Sequence, residues 1–136
     1  MQEIYLTISD MQRLEEILDF LPEKEWSKSD NLHRLVEDLE RALVVGPKEI
    51  PPDVVTIHSK VGLRDLDTEE EMTVILVLPS EADLAKDKIS ILAPIGSALI
   101  GYRAGDTVTW KVPSGMRRLR IEKVLYQPEA VGQYAK

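Results

Sequence analysis

A double proline divides the chain into two parts that differ in their hydrophobic period. Consecutive prolines favour a stiff, extended connection, and here they stand in Ile50-Pro51-Pro52-Asp53. Before this point apolar residues recur at helical spacing, whereas after it β-branched residues form runs and alternations typical of strands. We therefore predict an N-terminal helical hairpin over residues 1–50 and a second domain over residues 51–136.

The first amphipathic helix is predicted at about residues 10–20. Ser9 with Gln12 makes a capping-box pattern ahead of it, and Pro22 ends it because proline lacks a backbone N–H donor. The polar segment 22–28 that follows is predicted to be the turn of the hairpin. The apolar stripe of this helix consists of Met11, Leu14, Leu18 and Leu21, with Ile17 beside it.

A second amphipathic helix follows the turn. Ser29 or Asp30 can cap its start, and Gly46-Pro47 ends it. Its apolar stripe consists of Leu32, Leu35, Val36, Leu39 and Leu43. Antiparallel packing would bury the two stripes together in a hairpin of roughly 16 to 24 Å.

The second part is predicted to be an antiparallel sheet with one short helix. Strands are predicted at residues 54–61, 71–78, 89–92, 106–112 and 117–126. Residues 93–101 suit one or two helical turns, with Pro94 near the start and Gly101 after the end. A turn at Pro113-Ser114-Gly115 joins the last two strands. The fold class is therefore α+β.

Charge is concentrated in the N-terminal part. The chain has a net charge of −7, and residues 1–50 hold 12 acidic and 6 basic side chains. Binding to phosphate backbones depends on lysine and arginine, so we expect no direct sequence-specific nucleic-acid binding. A protein partner with basic surfaces suits this charge better.

Composition also limits the compartment. The sequence has no cysteine, which excludes disulfides and thiolate metal sites. It has no run of roughly 18 apolar residues, and its start lacks the pattern of a signal peptide. We expect a cytoplasmic protein without membrane association.

Catalytic motifs are missing from the sequence. His33 and His58 have no partners at catalytic or metal-binding spacing, and no nucleotide-binding loop or serine-hydrolase elbow is present. The acidic run at residues 65–71 lacks the spacing of a calcium loop, and the basic cluster of Arg117, Arg118, Arg120 and Lys123 suits a solvated face. We expect no catalytic residue, no metal site and no cofactor.

The predicted turn of the hairpin carries Glu23, Glu25 and Trp26. Paired carboxylates there could hold Mg²⁺ if a second protein supplied the remaining ligands. Lys24 and Lys28 weaken the local negative field, so we favour a polar tip with Trp26 packed against the hairpin.

From Val61 onward the chain resembles the C-terminal domain of the GreA/GreB transcript-cleavage factor superfamily. Residues 61–71 are similar to the opening hairpin of that domain. The segment Lys88-Ile89-Ser90-Ile91-Leu92-Ala93-Pro94-Ile95-Gly96, then Gly105-Asp106, then Pro113-Ser114-Gly115 follow its order of strand, proline-led helix and turns. Within the superfamily, residues 51–61 and 126–134 resemble the regulator of nucleoside diphosphate kinase family.

The resemblance implies an FKBP-like domain that docks at the rim of the secondary channel of RNA polymerase, with the hairpin pointing into the channel. In Gre relatives a loop at the start of the proline-led helix makes part of the contact. That loop is Leu92, Ala93, Pro94 and Ile95 here. Leu92 and Ala93 replace acidic and hydroxyl residues of some relatives, which implies docking with altered affinity.

The resemblance also indicates where the chain departs from Gre factors. Those factors place an acidic pair at the tip of a much longer coiled coil to help bind catalytic magnesium, and this hairpin should be too short to reach the active site. We expect a monomeric, non-enzymatic regulator that binds RNA polymerase, competes with Gre factors and is linked to regulation of nucleoside diphosphate kinase. The alternatives are transcript cleavage through Glu23 or Glu25 and an FKBP-type peptidyl-prolyl isomerase.

Overall fold

The computed structural model describes residues 3–27, 30–112 and 115–132 as a mixed α+β fold. The helices are α1 (Ile8–Asp19), α2 (Glu23–Ser27), α3 (Asp30–Glu40) and α4 (Pro94–Leu99). The strands are β1 (Tyr5–Thr7), β2 (Leu43–Val45), β3 (Lys60–Asp65), β4 (Glu71–Val77), β5 (Lys88–Ser90), β6 (Thr107–Val112) and β7 (Gly115–Tyr126). Within the described ranges, no helix is long and apolar enough to cross a membrane.

The main sheet has five strands in the order β5-β4-β3-β7-β6. The β3–β4 and β6–β7 pairs are antiparallel, as predicted, and β3 also pairs with β7 in antiparallel orientation. β4 and β5 are parallel, so the prediction of a purely antiparallel sheet was wrong. Between them the chain makes two 3-10 turns, Pro79–Glu81 and Leu84–Lys86, and these bring it back beside Ile75 of β4, where β5 begins.

The strand predicted at residues 54–61 is interrupted by a turn at residues 56–59, while Val54 makes an isolated β-bridge with Arg103. The Ser59 N–H donates to the Thr56 carbonyl oxygen at 3.0 Å, and the Thr56 N–H donates to the Ser59 hydroxyl at 2.9 Å. His58 has a φ of 75°, which reverses the chain, so β3 begins only at Lys60. The strands predicted at residues 71–78, 106–112 and 117–126 are confirmed as β4, β6 and β7, while Pro113 and Ser114 lie outside the described residues.

The N-terminal part also differs from the prediction. β1 and β2 form a parallel pair that places Tyr5 opposite Leu43, so Leu43 lies on a strand and is exposed. α1 begins two residues before the predicted start, because Thr7 is its N-cap and accepts the Asp10 N–H at 3.1 Å. α2 occupies the segment predicted as a turn, and α3 ends at Glu40. Ser29 and the side chain of Trp26 lie outside the described residues.

The apolar stripes of the two helices belong to the same core as the main sheet. Leu14 and Leu35 are buried in one hydrophobic cluster with Leu63 of β3 and Leu99 of α4. α3 contacts α4 and β6, and α1 contacts β1 and β2. The FKBP-like character of the fold stays a prediction.

Candidate docking surface

The segment leading into α4 is held in a fixed shape by its own backbone. We call Leu92, Ala93, Pro94 and Ile95 the entry loop; Pro94 is exposed and the other three are half-buried. The Leu92 N–H donates to the Ser90 hydroxyl at 3.0 Å, and the Ala93 N–H donates to the Ser90 carbonyl oxygen at 3.0 Å. Pro94 occupies the first turn of α4, where its missing N–H costs no hydrogen bond.

A close approach of two backbones fixes α4 on the sheet. A Cβ atom at Gly96 would lie 2.0 Å from the Ser90 carbonyl oxygen and 3.1 Å from a methyl group of Leu76. The residue at position 96 therefore has to lack a side chain if α4 is to lie against β5. This contact fixes the position of the entry loop relative to the end of β5.

An apolar groove of about 500 Å³ lies beside the entry loop. We call it the α1 groove; its lining residues are Glu16, Ile17, Phe20, Leu21, Leu78, Pro79, Ser80 and Leu92. Phe20, the only phenylalanine in the chain, is 88% exposed. Sequence reasoning missed this residue, and the available signal was an aromatic residue that falls off the buried stripe at the end of α1.

The residues predicted at the hairpin tip lie on α2, which belongs neither to the entry loop nor to the α1 groove. Glu23 and Glu25 are exposed on α2, one on each side of Lys24. Within the described residues, no group of three or more His, Asp or Glu side chains could hold a metal ion. The structure therefore brings no further carboxylate to Glu23 and Glu25 from the part of the chain that it describes.

Buried polar side chains join α1 to the segments that precede β3 and follow β7. Asp10 of α1 accepts the Ile57 N–H at 3.1 Å, and the Thr56 hydroxyl donates to Glu129 at 2.8 Å. The Gln127 side-chain amide donates to the carbonyl oxygens of Pro51 and Val54, both at 2.8 Å. Residues 51–56 and 127–129 therefore meet in space, and sequence reasoning did not single out Asp10 or Glu129.

Burial changes the acidity of Asp10. Asp10 is 1% exposed. Loss of solvent raises the pKa of its carboxyl to about 6, with a smaller upward contribution from the negative charge of Glu129. The Ile57 N–H and the charges of Arg13 and His58 oppose this shift in pKa. Ionised Asp10 is therefore a source of instability at neutral pH.

A family comparison assigns the segment that contains the entry loop. The family model described as "Transcription elongation factor, GreA/GreB, C-term" matches residues 45–126. The chain belongs to the GreA/GreB family. The match covers the whole five-stranded sheet and α4, and it leaves α1, α2 and α3 outside.

Individual relatives agree with this membership. The chain is 40% identical over 98 residues to "Regulator of nucleoside diphosphate kinase" of Escherichia coli (strain K12), covering 71% of this chain and 72% of the relative. It is 42% identical over 105 residues to "Transcription elongation factor GreA" of Thermodesulfovibrio yellowstonii, covering 77% of this chain and 66% of that protein. A GreA/GreB structure from Nitrosomonas europaea superposes with a TM-score of 0.75 at 41% identity, covering 93% of this chain and all of that chain.

Two ion pairs connect the acidic and basic runs of this GreA/GreB family member. Arg117 of β7 pairs with Asp65, and Arg118 pairs with Asp67 at 2.8 Å. Asp65 is buried, which corrects the prediction of a solvated acidic turn at that residue. The N–H groups of Asp67 and Thr68 and the Arg117 guanidinium lower the pKa of Asp65, with the Asp67 N–H contributing most. The basic cluster is thus partly a structural partner of the turn.

Proposed function

We propose that the chain binds RNA polymerase at the secondary channel through the entry loop and modulates transcription as a monomer without cleaving RNA. The observation that carries the proposal is the exposed Pro94 on a rigidly held loop inside the segment that matches the GreA/GreB family. A partner can dock on such a loop without first having to order it, which favours affinity. Through the same contact the protein competes with Gre factors.

Charge and size support a regulatory role. The N-terminal part supplies most of the net negative charge, which favours a basic protein surface over nucleic acid. α1 has 12 residues and α3 has 11, so either helix extends only about 18 Å. Such short helices suit occupation of the channel entrance. In this proposal the link to nucleoside diphosphate kinase passes through transcription.

The isomerase alternative has little support from the aromatic residues. Tyr102 is buried, and its hydroxyl donates to Asp38 at 3.2 Å while accepting from Arg41 at 3.1 Å. This tyrosine connects the C-terminal end of α3 to the segment after α4, and it is not available to line a substrate pocket. Fold similarity alone does not confer the activity.

Replacing Pro94 by alanine should weaken binding to core RNA polymerase about tenfold, because the substitution removes exposed apolar surface from a preformed contact. Binding would be measured by pull-down and by titration, with excess Gre factor as competitor. Pro52→Ala is the matched control, since Pro52 is also exposed and lies outside the entry loop. Absence of wild-type binding at micromolar concentrations would contradict the proposed function.

Addition of the protein to a backtracked elongation complex should leave the RNA at its original length, because α1 and α3 each extend only about 18 Å and Lys24 lies between Glu23 and Glu25. The measurement is RNA length on a denaturing gel, with a Gre factor as the positive control. Shortening that disappears in the Glu23→Gln, Glu25→Gln double variant would instead establish the cleavage alternative.

A further inference from the structure

We propose that the groove between α1 and α3 is a second docking site, which receives a basic amphipathic helix of a partner protein. We call this groove the α1–α3 seam. It has a volume of about 530 Å³, and its lining residues are Met11, Glu15, Leu18, Asp19, Val36, Leu39 and Glu40. None of them lines the α1 groove or belongs to the entry loop. The proposed binding to RNA polymerase and this second docking can therefore fail independently.

The floor of the seam is apolar and only partly covered. Leu18 is buried, whereas Met11, Val36 and Leu39 are half-buried and pack against the edge of the core. Contiguous apolar surface that stays in contact with water forgoes the free energy of burial, and it is typical of sites where another protein binds. A methionine at such a site adapts to the shape of its partner, because its side chain is unbranched and flexible.

The seam and the α1 groove use different faces of α1. Glu15 and Asp19, which are four residues apart and therefore share a face, line the seam. Glu16 and Phe20 have the same spacing and line the α1 groove. Successive residues of a helix lie about 100° apart around its axis, so the two pairs point in different directions. A partner in the seam does not need the residues of the α1 groove.

The backbone beside the seam favours a helix as the occupant. The interior N–H and C=O groups of α1 and α3 are bonded within their own helices, so an extended strand finds no backbone partner there. Side chains of a helix, in contrast, fit as ridges into the groove between two other helices. α1 has 12 residues, so an occupant that lies along it needs about three turns, with apolar residues at every third or fourth position.

Charge at the rim of the seam selects a basic occupant. Glu15, Asp19 and Glu40 are exposed there, and none of the described residues that line the seam is basic. Neither α1 nor α3 carries a basic residue in its last turn, where the partial negative charge of a helix end favours cations. Lysine or arginine beside the apolar stripe of an occupant is therefore attracted by the rim and by these helix ends.

The helices of a second copy of the chain fit the seam poorly, because they are acidic. α1 holds four acidic residues and one arginine, and α3 holds the same numbers. α2 has only five residues, and α4 is largely buried. Each described helix that is long enough to fill the seam would therefore bring negative charge to a negative rim, which favours a partner of opposite charge.

A pair of synthetic peptides tests the sign of the occupant. A three-turn amphipathic peptide of leucine and lysine should bind the full-length protein, and more weakly as salt is added. The matching peptide of leucine and glutamate should bind at least about tenfold more weakly in calorimetric titration. Absence of binding by the lysine peptide, or equal binding of the two peptides, would overturn the inference.

Methyl signals of the methionines show where the lysine peptide binds. The chain has four methionines, of which Met11 lines the seam, while Met116 is 59% exposed on β7. In a nuclear magnetic resonance titration the Met11 methyl signal should shift and saturate, and the Met116 signal should stay in place. A shift of Met116 with Met11 unchanged would contradict docking at the seam.

Charge reversal at neighbouring positions separates the seam from the α1 groove. Glu15→Lys should raise the dissociation constant of the lysine peptide about fivefold and reduce its dependence on salt, because a screened attraction is lost. Glu16→Lys makes the same change one residue further on, in the α1 groove, and should have a smaller effect. Both side chains are exposed, so equal thermal unfolding temperatures would establish that the fold is unchanged. An equal or larger effect of Glu16→Lys would place the peptide outside the seam.

Sedimentation of the free protein tests a second copy as the occupant. The wild type should sediment as a monomer, and a dimer that Glu15→Lys weakens or strengthens would overturn the inference in favour of self-association at the seam. Failure of the lysine peptide to bind would leave the proposed function standing. Failure of the protein to bind polymerase would leave the seam inference standing.

Discussion

Replacing Gly96 by alanine should lower the free energy of unfolding by about 3 kcal/mol or more. The added Cβ atom would lie 2.0 Å from the Ser90 carbonyl oxygen and 2.9 Å from its carbon, which are backbone atoms of β5. Neither can move away as the end of a flexible side chain can. α4 must therefore shift off the sheet, and the buried Ala98 and Leu99 on it lose packing.

Chemical denaturation of Gly96→Ala beside Gly105→Ala separates the two costs of replacing a glycine. Gly105 has a φ of 95°, and a Cβ atom added there would meet nothing within 4 Å, so alanine costs only the strained backbone, about 1 to 2 kcal/mol. At Gly96, by contrast, the loss of stability on substitution comes from the close contact with β5. If Gly96→Ala proved no less stable than Gly105→Ala, the close approach of α4 to β5 would be contradicted.

Stability should fall as pH rises through the range in which Asp10 titrates. Burial raises the pKa of this carboxyl from 3.8 to about 6, so between these values the folded state holds a proton that the unfolded state has released. Folding therefore binds protons, and the free energy of unfolding decreases from pH 4 to above pH 6. The full shift in pKa corresponds to about 3 kcal/mol as an upper value.

Asp10→Asn isolates this contribution from the other carboxylates. The asparagine oxygen can still accept the Ile57 N–H, and the side chain does not titrate. The unfolding free energy of the variant minus that of the wild type should increase by up to about 3 kcal/mol between pH 4 and pH 7. Glu15→Gln removes an exposed acid from the same helix and serves as the matched control for the loss of one negative charge. A flat difference for Asp10→Asn would contradict the buried carboxyl.

The local sequence pattern was sufficient to predict β4, β6, β7 and α4. Continuous β-branched and apolar residues predicted β4, alternation predicted β6, and the turn signal after β6 predicted β7 to within two residues. The order of Pro94 and Gly101 located α4, because each residue suits only one end of a helix. The entry loop itself was singled out through the resemblance to the GreA/GreB family, and its role in docking stays a prediction.

Features that depend on distant partners could not be predicted. Leu43 continues the apolar spacing of α3, and only its pairing with Tyr5 makes it part of a strand. Asp65 belongs to an acidic run, and its burial depends on Arg117 of β7. The exposure of Phe20 follows from which face of α1 packs inward. The reversal at His58 arises from hydrogen bonds within a segment whose composition is that of a strand.

The parallel pairing of β1 with β2 allows the helical segment between them to be lengthened. Tyr5, Leu6 and Thr7 lie beside Leu43, Val44 and Val45, so the points at which the chain leaves and rejoins this pair are fixed next to each other. Extra turns inserted between α1 and α3 would change the reach of the helices while both ends stay in register, and closing a longer loop costs little additional entropy. Evolution and protein engineering can therefore adjust the length of this insert without rebuilding the sheet to which it is attached.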